Sequence, residues 1–209
     1  MESLIELNDF LHKNNILESQ LKEVAALRYI SYLDNHSIDE NAEKMFYDEF
    51  DMRRNCYSYI EYIDGMPAAA IRACLYDPRK IVKTIPAMQI FSKEIAEMAG
   101  ENHVIVESNK FVIHPRFQRK GLRLKFELFS FIFKVALQAN ASYIITAVRE
   151  EHAKFYKQMN FRAISDARRY PGLNFNTILL ANNFNTSTET YLDLPDNIKT
   201  RLNIQPLAA

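Results

Sequence analysis

Glu107 is the residue of this chain best suited to accept a proton during a reaction. It lies in a predicted β-strand over residues 103–113 that is otherwise largely apolar. Burial in apolar surroundings raises the pKa of a carboxyl group toward neutrality, where a carboxylate can act as a general base. The alternative is that Glu107 forms an ion pair with Arg72 or Arg28 and only stabilises the fold.

A basic loop follows this strand. Residues 108–126 contain six basic side chains and no acidic one, in a chain whose formal net charge is zero. The loop leads into a predicted helix, and the free N–H groups at the start of a helix bind phosphate groups. We therefore expect an anion site here. A nucleic-acid surface would need a broader basic face on a basic domain, so no nucleic-acid partner is expected. The predicted site consists of Gln118, Arg119, Lys120, Gly121, Leu122 and Arg123.

The order of these motifs resembles the GNAT superfamily of N-acyltransferases. The signature of that family is Q/R-x-x-G-x-G/A, in a loop that binds the pyrophosphate of coenzyme A. Gln118 and Gly121 match it, and Arg123 stands where the last small residue is expected. A long predicted helix and a strand follow, then Phe155-Tyr156 and, five residues later, Phe161. The resemblance implies an α/β (α+β) fold with a twisted mixed sheet flanked by helices.

The strand before the loop narrows the resemblance to one branch. Residues 107–111, ESNKF, are similar to the E-x-S-R-F strand of acyl-homoserine-lactone synthases and of the related N-acyl amino acid synthases, with asparagine and lysine in place of serine and arginine. Those families also have an arginine in the first helix, an acidic element after it and an arginine in the third strand. Arg28, the DEFD segment at residues 48–51 and Arg72 follow one another in that order here.

The resemblance implies roles for four further side chains. Arg28 and Arg72 would hold the carboxylate of an amino acid-like acceptor, and Asp51 would pair with its ammonium group or with the two arginines. Tyr156 occupies the position of the general acid that protonates the departing thiolate. Packing of a Phe-Tyr pair on an amphipathic helix is the alternative for Tyr156.

The peptide backbone of the central strand is expected to bind the acyl donor. The N–H groups of Phe111, Val112 and Ile113 would stabilise the oxyanion and pair with the pantetheine arm of the donor, as an added strand pairs with an edge. No Ser-His-Asp or Cys-His arrangement shows the local signature of a covalent route. We therefore expect direct attack of the amine, without an acyl-enzyme.

Two predicted elements must bring the arginines to Glu107. A helix over residues 19–33, with Ser19 as its N-cap, carries Arg28 on its apolar stripe. A buried guanidinium needs water or an acidic partner, so Arg28 either reaches the surface or meets a carboxylate. A β-hairpin around the turn Asp64-Gly65 carries Arg72, which we expect on the same side as Tyr57.

The chain is predicted to form one domain with two appendages. Residues 1–18 are expected to be a helical segment, residues 19–181 the acyltransferase domain and residues 182–209 a tail. With no signal-type segment and no predicted span, a cytoplasmic protein without an integral membrane span is expected. The cysteines and the five scattered histidines lack metal-site spacing, so no metal is expected. Cys56 and Cys74 are predicted to point to opposite sides of the hairpin, so no disulfide between them is expected.

These expectations combine into one function and two alternatives. The chain is predicted to move an acyl group, a fatty acyl group in the most specific version, from acyl-CoA or the phosphopantetheine of acyl carrier protein to a small-molecule amine. One alternative is an ordinary acetyltransferase that uses acetyl-CoA. The other is a non-catalytic acyl-CoA-binding module, whose function would survive Glu107→Gln and Tyr156→Phe.

Overall fold

The computed structural model describes residues 18–184, with side chains from Gln20 onward. The predicted N-terminal helical segment and C-terminal tail lie almost wholly outside these residues. No helix within the described range is both long and apolar enough to cross a membrane.

Seven strands in this range form one mixed sheet. The strands are β1 Cys56–Ile63, β2 Met66–Tyr76, β3 Ile105–Ile113, β4 Tyr143–Arg149, β5 Arg162–Ala163, β6 Arg168–Arg169 and β7 Asn176–Asn183. They are hydrogen-bonded in the order β1-β2-β3-β4-β7-β5, and β6 also pairs with β7. Only β3 and β4 are parallel, and the other neighbours are antiparallel.

Helices cover both faces of the sheet. The helices are α1 Glu18–Asp34, α2 Met88–Ala99, α3 Gly121–Gln138 and α4 Ala153–Lys157, with 3-10 helices at Glu49–Met52, Pro115–Lys120 and Glu150–His152. Helices α1 and α2 pack on one face, where their apolar residues meet Ala70, Val112 and Ile105. Helices α3 and α4 pack on the other face, where they meet Val106 and Ile144. The predicted mixed sheet flanked by helices is thus confirmed.

A bulge in the β1-β2 hairpin changes the predicted register. The pairing shifts by one residue between Glu61 and Tyr62, so Cys56 lies opposite Cys74. The prediction that the two cysteines point to opposite sides is therefore wrong, because it assumed an unbroken ladder. Both are buried free thiols in the core on the α2 side.

The same shift moves Arg72 to the other face of the hairpin. Arg72 lies opposite Ser58, whereas Tyr57 packs in the core under α3. The prediction that Arg72 shares a side with Tyr57 is wrong for this reason. The bulge places the guanidinium of Arg72 on the face covered by α1, which also carries Arg28.

Strand β3 leaves β4 halfway along its length. The two strands pair only from Ile105 to Glu107, although β3 continues to Ile113 and β4 to Arg149. Beyond this point β3 contains a bulge, because its four residues 109–112 face only three residues of β2, 70–72. Lys110 in the bulge has a positive φ of 53°. Bulges of this kind redirect side chains and interrupt pairing, so a gap opens between β3 and β4 beyond Glu107.

Candidate active site

Glu107 stands at the point where β3 and β4 separate. Its side chain is buried, with 1% of its surface exposed. One carboxylate oxygen, Oε2, accepts a hydrogen bond from the Ala87 N–H at 2.9 Å, and Oε1 accepts one from Asn109 Nδ2 at 3.0 Å. Burial raises the pKa of Glu107 to about 7, although both hydrogen bonds and the charge of Arg72 oppose the shift. A carboxyl group with this pKa changes its protonation readily at neutral pH.

Five charged side chains lie on the same face of the sheet and form what we call the charge cluster. Arg28 Nη1 and Arg72 Nη1 each donate to Asp51 Oδ1 at 2.7 Å. Arg72 also binds both carboxylate oxygens of Asp48, at 2.6 and 2.9 Å. Lys110 Nζ lies 3.2 Å from Asp48 Oδ2. Helix α1, strands β2 and β3 and the 3-10 helix with its cap thus all contribute to one network.

Asn109 connects Glu107 to the charge cluster. Its Oδ1 accepts a hydrogen bond from Arg72 Nε at 2.8 Å, while its Nδ2 donates to Glu107. Asn109 was not among the predicted site residues. Its position two residues after Glu107 in a strand, and therefore on the same face, was the signal that could have found it.

The cluster holds more positive than negative charge. Its three cations face the two carboxylates of Asp48 and Asp51. Burial raises the pKa of Asp51, but Arg28 and Arg72 outweigh this effect and hold that pKa below its usual value. Burial lowers the pKa of Lys110 to about 8. In addition, the buried Nε of Arg28 has no hydrogen-bond partner within the described part of the chain. The cluster can therefore accept one further anionic group.

Tyr170 borders the cluster and was not predicted. Burial raises the pKa of its phenol, and the nearby charges of Glu107 and Asp48 raise it further. Tyr170 also lines a pocket of about 390 Å³, as does Phe46, whose ring lies 4.0 Å from Lys110 Nζ. An open pocket thus lies beside the charge cluster. Since Tyr170 is in the β6-β7 turn, far along the chain, its position could not be inferred from a local motif.

Tyr156 lies on the opposite face of the sheet from Glu107. It belongs to α4 and is enclosed by the rings of Phe129, Phe155 and Phe161, with centroids 5.4 to 5.9 Å away. Burial raises its pKa, against a hydrogen bond with Thr146 of β4 that lowers it. The phenol therefore keeps its proton at neutral pH, as a general acid must. Its predicted role remains a prediction.

The predicted donor-binding residues of β3 lie beyond the point where β4 departs. Phe111 faces α3, where its ring is 5.4 Å from that of Phe129. Val112 packs under α1, and both Val112 and Ile113 still pair with β2. Their proposed contacts with a donor stay predictions.

The basic loop forms a 3-10 helix, and α3 begins directly after it at Gly121. The side chains of Gln118, Arg119, Lys120, Leu122 and Arg123 are exposed. No side chain caps α3, and the N–H of Gly121 donates to the backbone carbonyl of Gln118. The arrangement suits a phosphate group. Within the described residues no cluster of metal-binding side chains occurs.

A family model described as N-acyl amino acid synthase FeeM matches residues 23–183. The structure of FeeM from uncultured soil microbes is 17% identical, with a TM-score of 0.63 over 80% of this chain and 92% of that chain. TofI, solved in a ternary complex with an inhibitor and MTA, is 13% identical, with a TM-score of 0.62 over 88% of this chain and 95% of that one. The CoA-dependent acyl-homoserine lactone synthase MesI is 13% identical, with a TM-score of 0.56 over 90% and 89%. No curated protein matches the sequence.

Proposed function

The chain belongs to the N-acyl amino acid synthase FeeM family, and we propose that it transfers a fatty acyl group from a thioester to the amine of a small amino acid-like acceptor. Membership of the family makes it an acyltransferase. The observation that carries the proposal is the place of Glu107. It stands where β3 leaves β4, with the charge cluster on its own face of the sheet and an aromatic cluster on the other.

The charge cluster suits the charged groups of an amino acid. The carboxylate of the acceptor would bind Arg28 and Arg72, to which the excess positive charge and the unpartnered Arg28 Nε would draw it. Asp51 pairs with both arginines and is 1% exposed, so it orients them. Asp48, whose side chain is 30% exposed, is the better partner for the acceptor's ammonium group. The acceptor's side chain would enter the pocket beside Tyr170.

Glu107 would take a proton from the ammonium group, directly or through a water molecule. With a pKa of about 7, a large fraction of Glu107 is ionised at neutral pH. The neutral amine nitrogen then attacks the thioester carbonyl carbon, a C–N bond forms, and the C–S bond breaks. The departing thiolate takes the proton of Tyr156, and the second proton that the attacking nitrogen must lose passes to the resulting phenolate through solvent. The products are an amide and a free thiol.

The gap between β3 and β4 would receive the thioester arm. The arm would pair with the unpaired edge of β3 near Phe111, and the phosphate groups of coenzyme A or of acyl carrier protein would bind at the start of α3. Phe111, Phe129 and Phe155 form an aromatic surface beside the gap on the α3 side. This surface favours a long acyl chain over the acetyl group of an ordinary acetyltransferase.

The experiment is a direct assay of the purified protein. Acetyl-CoA, dodecanoyl-CoA and dodecanoyl acyl carrier protein are each incubated with a mixture of amino acids, and amide products are identified by mass spectrometry. We expect N-dodecanoyl amino acids, and almost none with Glu107→Gln, whereas the exposed Glu97→Gln control retains activity. Acetylated products alone would assign the chain to the acetyltransferase alternative. Donor binding without any product would assign it to the binding-module alternative.

A further inference from the structure

An exposed loop joins β2 to α2. All of residues 79–84 are exposed, and the side chain of Ile81 is 99% exposed. Its neighbour Val82 is 46% exposed. A single exposed apolar residue is ordinary on a protein surface, but two adjacent β-branched apolar residues on one projecting loop offer a local apolar tip.

Basic residues flank this tip on both sides. Arg79 and Lys80 precede it and Lys83 follows it, and residues 78–93 contain no acidic residue. Arg79 is paired with Asp77, at 2.8 Å between Nε and Oδ1. Neither Lys80 nor Lys83 forms an ion pair with a carboxylate of residues 18–184. Their charges remain available to an anionic partner.

The base of the loop is held in place by the protein. Asp77 accepts hydrogen bonds from the Arg79 N–H through its side chain and from the Lys80 N–H through its backbone, both at 3.0 Å. At the other end Ile85 and Ala87 are buried. The apolar tip is therefore presented to the outside from two fixed ends.

We propose that this loop docks the protein onto an anionic lipid bilayer. Ile81 and Val82 would enter the boundary between headgroups and acyl chains, while Lys80 and Lys83 would contact anionic headgroups. An apolar tip between lysines inserts into a fluid layer without needing a complementary pocket. A protein partner would need such a pocket for a side chain as exposed as Ile81.

Docking would bring the active site close to the bilayer. The loop ends at Ala87, whose N–H donates to Glu107 only six residues after Ile81. If the proposed function holds, the acylated product is an amphiphile that partitions into the same bilayer. The docking itself does not depend on the reaction.

Vesicle flotation tests the proposal with the purified full chain. We expect binding to vesicles that mix phosphatidylglycerol with phosphatidylcholine, and little binding to phosphatidylcholine alone. The double variant Ile81→Asp/Val82→Asp should bind about tenfold more weakly, and Lys80→Glu/Lys83→Glu should also lose binding. Leu122→Asp is the matched control, because Leu122 is also an exposed apolar residue among basic ones. It should keep vesicle binding.

Three results would overturn the proposal. These are absence of binding to anionic vesicles, equal binding by the loop variants and the unchanged protein, and loss of binding in Leu122→Asp but not in the loop variants. A fourth result would assign the loop to another partner. In that case the unchanged protein binds acyl carrier protein but not vesicles, and the loop variants no longer bind acyl carrier protein. Thermal unfolding checks that the variants fold. The amide assay with soluble dodecanoyl-CoA should be unchanged in the loop variants, which separates failure of docking from failure of the proposed function.

Discussion

At the scale of single residues, Glu107 combines near-complete burial with two hydrogen bonds to its carboxylate. Burial favours the neutral form, and the donors Ala87 N–H and Asn109 Nδ2 favour the charged form. The balance leaves the pKa at about 7. A glutamate with this pKa can take a proton from an amine at little cost in free energy. A surface glutamate has a lower pKa and accepts such a proton less readily.

The pH dependence of the reaction tests this balance. Because Glu107 acts as a base only when ionised, kcat/KM should rise with pH and level off above a pH of about 7. Glu107→Gln should lower kcat by about 10² to 10⁴ and remove this limb of the profile. Steady-state kinetics across pH with dodecanoyl-CoA would measure both effects. If kcat/KM of Glu107→Gln still rose over the same pH range, another residue would be the base.

Asp51 keeps two buried arginines together, so its loss should weaken the fold. Asp51→Asn leaves Arg28 and Arg72 close to each other without their shared carboxylate, and we expect the free energy of unfolding to fall by about 3 to 5 kcal/mol. Urea denaturation measures this change in the free energy of unfolding. Glu49→Gln is the control, because Glu49 pairs with Arg53 at the surface and should change stability by less than about 1 kcal/mol.

The ion pairs of Asp51 with the two arginines also determine how the stability of the protein changes with pH. The pKa of Asp51 is lower in the folded chain than its usual 3.8. Its contribution is therefore fully present above pH 3.8 and is lost as pH falls through the folded-state pKa. Wild-type protein should lose stability under acidic conditions more steeply than Asp51→Asn. Equal slopes in acid would show that Asp51 does not carry this effect.

At the scale of elements, two bulges decide where the functional side chains lie. The β1-β2 bulge turns Arg72 toward α1 and Arg28, and the β3 bulge at Lys110 accompanies the separation of β3 from β4. The turn dipeptide Asp64-Gly65 predicted the hairpin correctly. It carried no information about a bulge three residues away, since a bulge depends on packing of both sheet faces.

Gly121 permits a sharp test of the loop that precedes α3. A Cβ added to Gly121 would meet only Ile113 Cδ1, at 4.0 Å, and its backbone is helical. Gly121→Ala should therefore leave the protein as stable or more stable by up to about 1 kcal/mol. If a pyrophosphate approaches this backbone closely, KM for acyl-CoA should rise several-fold at little-changed kcat. Thermal unfolding and kinetics measure the two effects, and an unchanged KM would place the phosphate elsewhere.

At the scale of the whole molecule, the fold was predictable because its signals are local and ordered. The predicted strand, basic loop, long apolar helix and Phe-Tyr pair occur in the structure in the predicted order. Residues 41–48 form no helix, because the Asn41 side chain bonds the backbone of Met45 and Lys44 adopts a positive φ of 52°. Strand β6 has only two residues, which are too few to show a periodic pattern in the sequence.

The sequence identified several side chains of the candidate site, but it predicted less well how these side chains contact one another. Glu107, Arg28, Asp51 and Arg72 were singled out, and the structure brings them together. Asn109 and Asp48 stand within the ESNKF and DEFD segments but were given no role, because they act through contacts between elements that folding creates. Tyr170 lies next to the site only because the chain turns back after β6.

The central claim is that this chain forms amides from fatty acyl thioesters and amino acid-like amines. The most direct measurement is mass spectrometry of lipid extracts from cells that overproduce the protein, compared with cells that produce Glu107→Gln at the same level. We predict new N-acylated amines that occur only with the unchanged protein, and their masses would identify acyl chain and acceptor together. Lipid extracts that do not differ, combined with acetyl-CoA turnover on small amines, would contradict the claim.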